Sequence, residues 1–335
     1  MAETVRRALL VGIDNYPEAP LSGCVNDAQA MHALLSTHED GSPNFDCRLL
    51  IDPATRMTSA KLHESIELLF AHEADVALLY FSGHGTENNL GGYLVTPDAS
   101  QYREGVSMTE ILTLANDSKA KEVIIILDCC NSGALGGLPA LGKANEVAIL
   151  REGVSILTAS RSTQLSYEVE IDDQDETVQG LFTTLVCGAL DGGAADVVGN
   201  VTVAGVYAYV DQSLGAWEQR PLFKAHVAKL TSLRRSKPLV SLETLRKLPK
   251  WFTAPNYDHA LDTTYEPSPN GQRKPVEEQH EEHEQIFKCL QNLRDAKLVV
   301  PVGEEHLYYA AMNNASCRLT PLGRHYWRLA NEGRV

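Results

Sequence analysis

The chain has 335 residues, is 44% hydrophobic and carries a formal net charge of −15. That length holds one large domain plus a smaller one, with an ordinary globular composition, and no run approaches the apolar length of a membrane-spanning helix. The charge is uneven: residues 1–231 hold about 31 acids against about 14 Lys and Arg, which argues against general nucleic-acid binding and suits cationic peptides or a divalent metal. Seven cysteines, an odd number with no CxxC pair, imply free thiols in a reducing, cytoplasmic setting. The apolar run after Arg6-Arg7, Ala8 to Ile13, is too short for a secretory leader.

In chain order, Ala8–Ile13 is an expected buried strand that breaks at Asp14-Asn15-Tyr16-Pro17. Asn26 is the expected N-cap of a helix reaching about His38, with Ala30, Met31, Leu34 and Leu35 inward. Phe45–Ile51 reads as a strand. Thr58–Ala71 reads as a helix burying Leu62, Ile66, Leu69 and Phe70. Asp75–Phe81 is an apolar strand ending in Ser82-Gly83-His84-Gly85. Gly91–Pro97 looks like a short hairpin, and Ser107 caps a helix to about Asn116. Glu122–Asp128 holds five apolar residues in sequence, four of them β-branched, the pattern of a strand buried on both faces. It stops at Asp128-Cys129-Cys130-Asn131-Ser132-Gly133.

A strand over 153–160 follows a Gly-rich segment. An acidic loop, Glu168–Glu176, has six acids in nine residues. Helices are expected from Leu181 to Leu190 and from Thr202 to Leu214, and a last strand over Pro221–Val227. This alternation predicts a doubly wound, mostly parallel α/β sheet with helices on both faces. Residues 232–280 read as a connector with some helix near Leu242–Leu248. Residues 281–335 read as a small α+β domain: a helix over 283–296 with Ile286, Leu290 and Leu293 inward, a hairpin of Leu298–Val302 with His306–Ala310, and a last helix with Pro321 in its first turn.

Ligands bind beyond the carboxyl ends of strands in such sheets. If the strands ending at Ser82 and Asp128 lie parallel and adjacent, His84 and Cys130 emerge at one edge. A thiol is mostly protonated near neutral pH, and a nearby imidazole helps make the thiolate. Cys129 falls on the other side of the strand and is expected to be buried. Taken alone, a Cys at a strand end is more often packing than nucleophile. Asp27, taken alone, reads equally well as a helix-start acid matching the macrodipole. Asp128 has fewer bland explanations, because an acid at the end of a buried strand is costly.

Leu10-Val-Gly-Ile-Asp14, Leu21-Ser-Gly-Cys-Val-Asn-Asp27, Tyr80-Phe-Ser-Gly-His-Gly85 and Leu127-Asp-Cys-Cys-Asn-Ser-Gly133, in this order, resemble the caspase-like cysteine peptidases of the metacaspase and orthocaspase type. Thr158-Ala-Ser-Arg-Ser162 and Leu181-Phe-Thr183 extend the likeness to residues 5–228. His84 precedes Cys130 by about 50 residues, the caspase separation. The resemblance implies a caspase-type domain over 1–231 and an endopeptidase with Cys130 as nucleophile and His84 as general acid/base. It implies an oxyanion hole from the N–H groups of Gly85 and Cys130. It further implies a pocket of Asp27, Asp128, Cys24 and Ser82 for Arg or Lys before the cut, since two recessed carboxylates favour a cation. Asn131 stands where many metacaspases have His.

No cofactor is required by this reading. Calcium is a candidate, with Asp172, Asp173 and Asp175 a conceivable site that lacks the EF-hand pattern. Self-cleavage after Lys143 or Arg151 is a hypothesis of equal weight with an ordinary loop. The family resemblance implies regulated proteolysis in stress, cell death or bacterial antiviral defence. The end of the chain resembles a winged-helix domain, but its main helix carries Glu281, Glu282, Glu284 and Asp295 against Lys288 and Arg294, so a regulatory protein partner is expected rather than DNA. The rival reading is a caspase-fold scaffold with little peptidase activity, acting through its C-terminal module. Nucleotide enzymes are disfavoured by the lack of G-x-G-x-x-G or P-loop patterns.

Overall fold

The computed structural model describes residues 4–52, 56–89, 91–100, 103–129, 149–159, 168–172, 177–214, 220–228, 231–268 and 280–335. The chain divides into two compact units, Met1–Ala195 with Asn200–Lys237, and Asp196–Gly199 with Pro238–Val335.

In the first unit β1 (Arg6–Gly12) leads to α1 (Cys24–Ser36), β2 (Asp46–Ile51) to α2 (Ser59–Ala71), and β3 (Val76–Ser82) to a three-stranded antiparallel sheet of β4 (Gly85–Asn88), β5 (Gly91–Ser100) and β6 (Arg103–Ser107). Then come α3 (Met108–Asp117), β7 (Glu122–Asp128), β8 (Val154–Thr158), β9 (Glu168–Asp172) and β10 (Thr177–Gly180). The unit finishes with α4 (Leu181–Gly188), β11 (Asn200–Thr202), α5 (Val203–Leu214), β12 (Leu222–His226) and β13 (Ser232–Arg235). The central sheet runs β12-β8-β7-β3-β1-β2, parallel except for the edge strand β12. The expected mixed α/β, mostly parallel architecture is the one observed.

Strand parity decides which side each residue serves, because successive side chains point to opposite faces. Odd positions Leu9, Val11, Leu79, Phe81, Ile125 and Leu127 pack with α2 and α3 residues such as Ile66 and Ile111. Even positions Leu10, Leu78, Tyr80, Ile124 and Ile126 pack with Met31 of α1, Val186 of α4 and Val206 of α5. Both faces are covered, which is why β3 and β7 read as unbroken apolar runs. Truncating such a residue to Ala costs about 2–5 kcal/mol.

Several expectations are corrected. The N-cap of α1 is Gly23, not Asn26, and it makes no side-chain cap bond. Asp14 caps from the preceding loop instead, its Oδ1 and Oδ2 accepting from the N–H groups of Cys24 (2.9 Å) and Val25 (3.2 Å). Asn26 sits inside the first turn and donates to the Val178 carbonyl at 2.9 Å. Of the acidic stretch, Glu168–Asp172 is strand β9, paired antiparallel with β10, rather than loop; Asp173, Asp175 and Glu176 lie outside the described residues. Gly91–Pro97 is the middle strand of a meander, with partners on both sides.

In the second unit α6 (Leu242–Trp251), β14 (Asp258–Ala260), α7 (Glu281–Asp295), β15 (Val299–Val302), α8 (Leu307–Met312), β16 (Ser316–Leu319) and α9 (Pro321–Asn331) follow in order. The sheet is antiparallel, β14-β16-β15. Leu245, Leu248, Phe252, Leu290, Leu293 and Leu307 share one core. The stretch read as a connector thus holds β13 of the first unit and α6 and β14 of the second. In α7 the inward residues are Phe287, Leu290 and Leu293, with Ile286 only partly buried. The expected hairpin partner His306–Ala310 is instead α8: Leu307, Ala310 and Ala311 are buried on one helical face. The strand that pairs with β15 is β16. Thr320 caps α9, accepting from the Gly323 N–H at 3.0 Å, with Pro321 opening the helix as expected.

Candidate active site

Three neighbouring strands end together. Gly12 of β1 stands opposite Ser82 of β3, and Ser82 opposite Asp128 of β7. His84 follows Ser82 by the same two positions by which Cys130 follows Asp128. Cys130 lies outside the described residues, as do Lys143, Arg161 and Ser162. Its neighbour Cys129 is buried in the odd-side core, as expected.

His84 is held at four points. Its N–H donates to the Tyr16 hydroxyl at 3.0 Å, and its carbonyl accepts from the Val95 N–H at 2.9 Å. Its Nε2 lies 2.7 Å from the Ala19 carbonyl oxygen, and the Tyr16 ring packs 4.5 Å from the imidazole. A carbonyl only accepts, so Nε2 is the donor of this contact, and in the neutral ring that leaves the lone pair on Nδ1. The Val95 N–H bond to the His84 carbonyl lies just before the first β4–β5 pair, Gly85–Leu94, which is therefore non-hydrogen-bonded. The Gly85 N–H therefore points away from β5.

On the even side of the sheet two carboxyls meet. Asp27, 1% exposed, accepts from the Ser82 hydroxyl (2.8 Å) and the Gly180 N–H (2.9 Å). Asp128, 5% exposed, accepts from the Thr183 hydroxyl at 2.6 Å and from the Thr183 N–H. Asp128 thus supplies the side-chain cap that α4 lacks at Gly180. Gly180 lies between the two acids: a Cβ there would meet Asp128 Oδ2 at 2.7 Å and Asp27 Oδ2 at 3.1 Å. Burial first, and then the nearby Asp128 charge, push the Asp27 carboxyl up to about 7. Burial also raises Asp128, against the lowering effect of its Thr183 bonds. No basic group of the described residues pairs with either acid. Cys24 is buried beside them, hydrogen-bonded to Ser82, and burial raises its thiol far above the ordinary range.

The structure therefore brings Asp27, Asp128, Cys24 and Ser82 together and places His84 and Gly85 on the strand-end edge shared with them. Arg151 lies elsewhere. Its guanidinium donates to the carbonyls of Ala115, Ser118, Ala120 and Glu152, closing the C-terminal end of α3. Among the described residues no group of three or more His, Cys, Asp or Glu side chains is arranged to hold a metal.

The caspase domain family matches residues 5–232. The chain belongs to the caspase domain family. Cysteine peptidase chemistry on protein substrates is what a caspase domain implies. No curated protein matches the chain. Among solved structures, a protein from Geobacter sulfurreducens is 17% identical, with a TM-score of 0.49 over 70% of this chain and 98% of its own. Caspase-1 from Spodoptera frugiperda is 13% identical, with a TM-score of 0.48 over 70% of this chain and 91% of its own. No helix of the described residues is long and apolar enough to cross a membrane.

Sequence reasoning missed Tyr16, the Ala19 carbonyl, Gly180 and Thr183 as partners of these candidate residues. Leu181-Phe-Thr183 marked a helix, but nothing in the sequence linked its first turn to Asp128.

Proposed function

We propose that the protein is a cysteine endopeptidase that cleaves after Arg or Lys. The observation that supports this reading is the pair of buried carboxyls, Asp27 and Asp128, with no cation beside them among the described residues. Two like charges in a desolvated place are costly unless a partner arrives. A guanidinium or ammonium side chain is the partner whose charge and shape fit.

In this reading Cys130 is the nucleophile. Nδ1 of His84 takes the thiol proton, the Nε2–H bond to Ala19 fixing that tautomer. The thiolate attacks the scissile carbonyl, and the N–H groups of Gly85 and Cys130 receive the oxyanion. His84 then protonates the leaving amine, and water releases the acyl group. Calcium is not needed for any of these steps.

The second unit supports a regulatory role of winged-helix-like form. Its order of α6, β14, α7, β15, α8, β16 and α9 around a small antiparallel sheet with β16 central is compatible with that form, while α7 opens with Glu281, Glu282 and Glu284, which suits a protein partner better than phosphates.

The test is cleavage of paired peptide reporters ending in Arg, Lys or Asp, with and without calcium, by wild type and Cys130→Ala. Arg or Lys cleavage lost in Cys130→Ala is expected. Cleavage after Asp, or activity surviving in Cys130→Ala, overturns the reading. An intact fold silent on every peptide favours the scaffold alternative.

A further inference from the structure

Tyr16 lies in the loop between β1 and α1, in a sequence that reads only as a chain break. It is 6% exposed. Its hydroxyl is used twice, accepting from the His84 N–H at 3.0 Å and donating to the Val95 carbonyl at 3.2 Å. Val95 also donates to the His84 carbonyl. The phenol thus closes a ring of hydrogen bonds that fixes the His84 backbone on both sides. Its ring lies 4.5 Å from the imidazole, tilted by 59°. Burial pushes the phenol well above its ordinary range, so it remains a neutral dipole.

The turn is shaped around this hydroxyl. A Cβ at Gly83 would lie 2.5 Å from it, so glycine before His84 is what lets the hydroxyl approach. The same loop carries Ala19, whose carbonyl receives Nε2–H. One loop therefore sets the backbone, the ring plane and the tautomer of His84.

We propose that Tyr16 is a positioning residue for His84, its hydroxyl anchoring the His84 backbone so that the imidazole beside its ring keeps Nε2–H on the Ala19 carbonyl. This rests on the reading of His84 as the acid/base group. An aromatic face beside the imidazole also favours the imidazolium formed when the thiol proton is taken. Misplacing such a group by about 1 Å costs up to about 10²-fold in rate.

The test uses the full-length protein with 15N-labelled histidine and long-range imidazole correlation, His84 being assigned with His84→Gln. Wild type is expected to show a single Nε2–H tautomer. Tyr16→Phe is expected to show a mixture of both tautomers, and kcat on the Arg reporter about 10- to 100-fold lower with KM within about twofold. Gly83→Ala displaces the hydroxyl instead of removing it, and is expected to give the same mixture. A purely structural plug would lower the melting temperature of Tyr16→Phe but leave tautomer and kcat unchanged, and that result overturns the proposal. If no peptide is cleaved by wild type, the peptidase reading fails while the tautomer comparison still decides the role of Tyr16.

Discussion

Thr183 and Asp128 are joined twice, by a hydroxyl that donates to Asp128 Oδ2 at 2.6 Å and by the backbone N–H of the same residue. On its other side the Thr183 hydroxyl lies 2.6 Å from the hydroxyl of the fully buried Tyr80. With Asp128 ionised, Thr183 donates to it and Tyr80 donates to Thr183. Thr183→Val keeps the shape and the N–H but leaves two buried polar groups short of a partner. The expected cost is about 1–3 kcal/mol, read by urea unfolding. A change below about 0.5 kcal/mol would show that water replaces the hydroxyl.

Gly180→Ala is expected to act at a distance from the chemistry. The new methyl would enter the gap between the two carboxyls, 2.7 Å from Asp128 Oδ2. KM for an Arg reporter is expected to rise at least about tenfold, with far less effect on alkylation of Cys130 by iodoacetamide. Equal loss of both would place Gly180 in the folding of the site instead.

The raised Asp27 carboxyl has a definite sign in stability. Between about pH 4 and about pH 7 the native state holds a proton that the unfolded chain has lost. The contribution of Asp27 therefore falls as pH rises through that window and is lowest above it. His38 works in the opposite direction. Burial and the nearby Arg235 lower its imidazole to about 4, so the native state gains relative stability as pH rises toward 6.5. Subtracting Asp27→Asn isolates the first effect. Relative to wild type, this variant is expected to be less stable at pH 5 and equally or more stable at pH 8, by urea unfolding. The reverse order would show that the pair is stabilising when ionised.

Self-processing, if it occurs, is expected after Lys143 rather than Arg151. The Arg151 guanidinium is taken up by four carbonyls at the end of α3, and the Arg151 N–H donates to Asn116 Oδ1. Presenting that residue to another active site would first undo this arrangement. Lys143→Ala is expected to abolish fragment formation on gels, and Arg151→Ala to lower the melting temperature while fragments still form. Fragments lost only in Arg151→Ala would reverse the assignment.

The central sheet was legible because parity and apolar runs are local. β3 and β7 declare themselves within seven residues each, and their shared edge follows from the parallel order. Where patterns were ambiguous the sequence misled. Leu307-Tyr-Tyr-Ala310 has strand-forming residues, but Leu307, Ala310 and Ala311 have helical spacing, and burial of that face decided for α8. The cap of α1 was misassigned because Asp14 acts from ten residues away. Within the candidate site, His84, Asp27 and Asp128 were legible as motif positions. Their partners were not: Tyr16 meets His84 across 68 residues, and Gly180 meets Asp27 across 153. Such contacts leave no periodic trace in the chain.

The dependence of the acid pair on α4 carries a consequence for synthesis. Asp27 and Asp128 are both translated well before Gly180 and Thr183, the residues whose N–H groups and hydroxyl receive them. A nascent chain that has delivered only its first 130 residues has two carboxyls facing a low-dielectric sheet edge and none of those donors. Ionised, they repel one another. The surroundings of the acid pair are therefore completed late, and the unfinished chain on the ribosome carries the two carboxyls without the donors of α4 and the residue before it.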